Sequence, residues 1–156
     1  MSAPLLQTKL HLPRHRRGIV ARPRLSEQLS RAGEAALTLV SAPAGFGKTT
    51  LVTQLLAAAG AEGAATAWLS LDQRDNDPAL FWTYVIAALD RAVPGVGGRA
   101  LAVMGSAGAP LEDVIEALLN DLLAVEQEIV LVLDDYHVVE SRGVQESMVF
   151  LVEHLP

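Results

Sequence analysis

Cysteine is absent from the chain. That excludes a disulfide scaffold, thiolate zinc sites and a cysteine nucleophile. Long apolar runs are missing too. No stretch of about 18 apolar residues is free of charge or punctuation, so no membrane-spanning helix is expected. The basic N-terminus is not followed by an apolar run, so it does not read as a secretory signal. A soluble, reducing, cytoplasmic setting is the expectation. Acid is lacking from residues 1–24, which carry Lys9, Arg14, Arg16, Arg17, Arg22 and Arg24. Residues 25–156 hold the other six basic and all eighteen acidic side chains, a net of −12 within a total of −6. That balance argues against a generic nucleic-acid binder. Aromatic residues are only 4%, but 51% of the 156 residues are apolar. One domain with a buried core is therefore affordable, and two are not.

Pro4, Pro13, Gly18 and Pro23 punctuate residues 1–24, and no period persists there. The plain reading is a solvated basic arm. A short helix is expected over 24–32, then a buried strand at Leu37–Ser41 and a helix from Lys48 to about Ala59, stopped by Gly60. Thr66–Leu71 reads as a second strand. Asp72–Asp77 reads as an acidic turn whose last residue caps a helix beginning at Pro78 and ending near Ala92. Residues 94–109 read as a loop. Pro110–Val125 is an amphipathic helix with Val114, Ile115, Leu118, Leu119, Leu122 and Leu123 on one face. Ile129–Leu133 is a third, wholly apolar strand, and a last helix covers about 142–154. Continuous apolar strands alternating with helices indicate a parallel α/β sheet.

The strongest motif is Ala42-Pro43-Ala44-Gly45-Phe46-Gly47-Lys48-Thr49, between a strand and a helix. It matches a phosphate loop with alanine for its first glycine. Gly45 and Gly47 let the backbone curl so that N–H groups face phosphate oxygens. The helix that opens at Lys48, Thr49 and Thr50 adds its positive end. Lys48 would reach the β- and γ-phosphates of ATP or ADP, and Thr49 would offer its hydroxyl to Mg²⁺. The apolar strand ending in Asp134-Asp135 supplies the other half. Asp134 would hold Mg²⁺ through water, and Asp135 would orient or deprotonate the attacking water. Asp72, Asp75 and Asp77 lack calcium-loop spacing, and His11, His15, His137 and His154 lack metal-ligand spacing. Phe81, Trp82, Tyr84 and Ile86 read as packing residues.

These segments, with Leu6–Leu10, Pro13-Arg14, Val20–Leu25, Ala67–Asp72, Asp75–Pro78, Phe81-Trp82 and Leu133–His137, resemble the N-terminal part of MalT-like, ATP-dependent LuxR-type transcriptional regulators. Those belong to the signal-transduction ATPases with numerous domains. The resemblance implies a phosphate-loop NTPase of the additional-strand type. Residues 1–24 would form part of the nucleotide pocket, with Arg22 and Arg24 near adenine and ribose. Residues 25–156 would form an NTPase domain truncated before its sensor strand, which in that family lies between the first and third strands. It also implies a switch with slow or no hydrolysis. The ATP state would self-associate, and an inducer and DNA would act only through domains absent from this chain. Two other readings stay open: a stand-alone ATPase or phosphotransferase, and a non-functional fragment.

Overall fold

The computed structural model describes residues 5–13, 36–41, 43, 45 and 47–156. Among them run α1 (Lys48–Ala61), β1 (Ala65–Ser70), α2 (Pro78–Ala92), α3 (Gly98–Met104), α4 (Leu111–Leu123), β2 (Ile129–Asp134) and α5 (Arg142–Glu153). Single 3₁₀ turns occupy Gln7–Leu10, Gln73–Asn76 and Tyr136–Val138. β1 and β2 pair in parallel, from Ala65 opposite Ile129 to Ser70 opposite Asp134. Parallel neighbours need a long crossover, and α2, α3 and α4 provide it. The α/β class with a parallel sheet therefore holds, with two strands among the described residues.

The core sits between this sheet and α2. Asp77 caps α2 by accepting the N–H groups of Ala79 and Leu80 at 2.9 and 3.1 Å, and Pro78 fills the first helical position. Phe81, Trp82, Tyr84 and Ile86 are all buried, as packing residues should be. Phe81 and Trp82 meet edge to face at 5.6 Å. The Trp82 indole N–H donates to Ser147 Oγ at 2.9 Å, joining α2 to α5. Trp82 thus buries a large apolar area while its polar tip keeps a partner. Among the described residues, no helix is long and apolar enough to cross a membrane.

Several expectations change. Leu37–Ser41 is not a strand: the sheet does not include it, and Leu39 is 81% exposed. A strand exists through its ladder, and this segment joins neither β1 nor β2. α1 runs through Gly60 to Ala61. β2 is half-buried along its whole length rather than covered on both faces. Leu123 is exposed, outside the apolar stripe of α4. Residues 94–109 contain α3. Gly97 precedes it at φ 87°, and the Ile86 side chain fills the space a β-carbon would take. The N–H groups of Gly97 and Arg99 donate to Asp121 on α4 at 3.0 and 3.3 Å. The cap of α3 is thus borrowed from a distant helix.

The N-terminal segment also departs from a solvated arm. Residues 7–10 pack beside β1, and Leu10 joins the core. Lys9 is only 6% exposed and donates to the carboxylate of fully buried Asp75. Its ammonium also lies 3.3 Å from Asp72 and 4.4 Å from the centre of the Tyr84 ring. Lys9 therefore belongs to this ion cluster. The expected helix over 24–32 lies outside the described residues.

Candidate functional site

The loop half of the site is built on backbone shape. Gly45 and Gly47 have φ of 82° and 78°. A β-carbon disfavours that region, so glycine is required at both. Gly47 caps α1 and brings no side chain to its first N–H groups, unlike Asp77 on α2. Lys48 Nζ donates to the carbonyl of Pro43 at 3.2 Å, which lays the side chain back across the loop. Thr50 accepts the Thr53 hydroxyl on its carbonyl at 2.8 Å. Ala42, Ala44, Phe46, Arg22 and Arg24 lie outside the described residues.

The acidic half closes against it. The Thr49 hydroxyl donates to the two carboxylate oxygens of Asp134 at 3.4 and 3.3 Å, although 85 positions separate them. Asp134 is the last residue of β2, and its carbonyl accepts the Leu71 N–H at 3.0 Å. Burial raises the Asp134 carboxyl pKa above the ordinary value, and the charge of Asp135 adds to this. The Asp135 N–H, the Thr49 hydroxyl and the charge of Lys48 oppose the rise. A carboxylate that is costly to ionise gains from a nearby cation.

Asp135 has φ 60°, the one positive value at a non-glycine among the described residues. Its N–H donates to Asp134 Oδ1 at 3.1 Å. Its side chain is 56% exposed, with His137 Nδ1 3.8 Å away. Among the described residues no group of three or more His, Asp or Glu could hold a metal unaided. The Thr49 and Asp134 oxygens fit a small hard cation that takes its remaining ligands from water or a bound anion.

The turn between β1 and α2 holds what sequence reasoning missed. Asp72 caps it by accepting the Arg74 N–H at 2.8 Å, and the Arg74 guanidinium holds the Asp72 carboxyl below its usual range. Asp75 accepts the Asp72 N–H at 2.7 Å as well as the Lys9 ammonium. Asn76 accepts the N–H groups of Glu140 and Ser141 at 2.6 and 2.7 Å. It donates to the Val138 carbonyl at 2.9 Å. One turn thus grips the N-terminal segment on one side and the loop after Asp135 on the other. The only sequence signal was the density of Asp and Asn, which is also that of an ordinary turn.

Chemically, the arrangement offers a curled backbone, an ammonium, a hydroxyl and a carboxylate around one helix start. No family model matches the chain. Curated relatives do: the HTH-type transcriptional regulators MalT of Yersinia enterocolitica, Cronobacter sakazakii and Yersinia pestis are each 35% identical over 153 residues, 97% of this chain. The matched stretch is 16% of each, so the chain spans about a sixth of the length of the curated relatives it matches.

Proposed function

Since the chain matches the N-terminal region of MalT-like transcriptional regulators, we propose that it is the Mg·ATP-binding switch domain of such a regulator. The reading takes it as a phosphate-loop NTPase fold of the additional-strand type. The observation that carries it is the meeting of Thr49 with Asp134 beside the left-handed glycines of the loop.

Backbone N–H groups of the 42–49 loop, to which Pro43 contributes none, and of the start of α1 would receive the phosphates of ATP or ADP. Lys48 would leave the Pro43 carbonyl for the β- and γ-phosphates, exchanging a neutral acceptor for charged ones. Thr49 would ligate Mg²⁺ directly, and Asp134 would orient its water shell. When bound, Mg²⁺ would supply positive charge against that of the phosphates. Asp135 would align water on the γ-phosphate. Its exposed side chain suits slow turnover that resets a switch better than efficient catalysis. Arg22 and Arg24 are assigned to the adenine and ribose side, with residues 1–24 as a wall of the pocket and 25–156 as the body.

In the full-length protein, nucleotide state would govern self-association in the cytoplasm. Inducer and DNA binding would belong to other regions. A nucleotide drives such a switch only through different affinities for its two states. About 5.5 kcal/mol moves a 1:99 balance to 99:1.

A double-mutant cycle tests the reading. Thr49→Ala and Asp134→Ala should each weaken Mg·ATP binding measured by calorimetry. The two should be coupled by about 0.5–3 kcal/mol, because both act through one ion. Additive losses would mean that the pair does not share a ligand.

A further inference from the structure

Asn76 takes no part in the site as assigned, yet its amide is committed to that site's loop. It has two donor and two acceptor positions. One donor goes to its own turn, to the Gln73 carbonyl at 3.1 Å. The other donor and the oxygen go to Val138, Glu140 and Ser141, 62 to 65 positions away. The orientation is unambiguous, because the Glu140 and Ser141 N–H groups require an acceptor.

The series continues inward. The Val138 N–H donates to the Asp135 carbonyl at 3.1 Å, and the Asp135 N–H to Asp134 Oδ1 at 3.1 Å. The far end of the series is the carboxylate that meets Thr49. Asp135 lies in the left-handed region, which a residue with a β-carbon keeps only where its surroundings hold it. Asn76 anchors the far side of that turn.

The geometry points to Asn76 as a positioning residue that holds the Asp135–Ser141 loop so that the Asp135 amide turns the Asp134 carboxylate toward Thr49. This rests on the Mg·ATP reading, with Asp134 on the ion's side. Residues behind metal-binding groups commonly alter metal affinity about 10–100-fold when lost.

The test uses the full chain with Asn76→Leu, which loses every bond, and Asn76→Asp, which keeps the acceptor for Glu140 and Ser141 but loses the donor to Val138. ATP affinity is measured in EDTA, and then as Mg²⁺ is titrated in. Asn76→Leu should raise the half-saturating Mg²⁺ about 10-fold or more, and Asn76→Asp should raise it less. Affinity in EDTA, which depends on the loop and Lys48, should stay unchanged. Circular dichroism verifies folding. If Asn76→Leu does not fold, Asn76→Asp decides.

An unchanged Mg²⁺ midpoint in a folded variant overturns the proposal. So does an equal loss in EDTA, which would mark a general structural role. If the unaltered chain binds no ATP, the nucleotide reading fails instead. Amide hydrogen exchange then decides for Asn76: faster exchange at Asp135 in Asn76→Asp supports positioning, and unchanged exchange overturns it.

Discussion

Two segments near the N-terminus exchange the fates their compositions suggest. Leu5–Pro13 carries a lysine, a histidine and a proline, yet it is docked beside β1 with Lys9 and Leu10 buried. Ala36–Ser41 has four apolar residues in six and no charge, yet Leu37 and Leu39 are exposed. The difference lies in partners rather than in hydrophobicity. Lys9 finds Asp75, Asp72 and the face of Tyr84 in one place. The Tyr84 hydroxyl also accepts the Leu6 N–H at 3.1 Å. Leu37–Ser41 has the residues of a strand but pairs with neither β1 nor β2. A charge is buried where it is paired, and an apolar strand is buried where a neighbour takes its edge.

The largest effect should come from breaking the docked segment. Lys9→Met leaves the fully buried Asp75 charge without its cation. Removing one member of a buried pair costs about 3–5 kcal/mol, read as a lower midpoint in urea unfolding. One oxygen of Asp75 already lacks a hydrogen-bond partner among the described residues, so little else could compensate. Adding Asp75→Asn should recover a good part of the loss, since the amide oxygen can still accept the Asp72 N–H. A Lys9→Met chain as stable as the parent would mean that the segment is not docked through this pair.

The smallest effect should come from the other segment. Leu39→Ser removes an apolar side chain that is already in water, so stability should move by no more than about 0.5 kcal/mol. A loss well above about 1.5 kcal/mol would show that Leu39 is buried and that the contrast between the two segments is false.

Features written in consecutive residues were legible in the sequence. Asp77-Pro78 marked the start of α2, and the glycines, Lys48 and Thr49 of the loop came with their order and conformations. Asp134 was legible as the charged end of an apolar run. Features that depend on distant partners were not. The start of α3 is capped by Asp121, and no residue beside Gly98 announces it. Lys9 looked like one of six basic residues in an arm because Asp75 is 66 positions away. Asn76 looked like a turn residue because its partners lie after β2. Leu37–Ser41 read as a strand because its residues fit one, and local pattern does not report whether an edge is available.

The proposed switch depends first on the Lys48 loop holding the phosphates of ATP. Calorimetric titration of Mg·ATP into the parent chain and into Lys48→Ala tests it most directly. A charge-assisted contact worth roughly 1.5–3 kcal/mol predicts an affinity loss of about 10-fold or more, with the fold retained by circular dichroism. Equal dissociation constants for the two chains would mean that Lys48 does not hold the nucleotide.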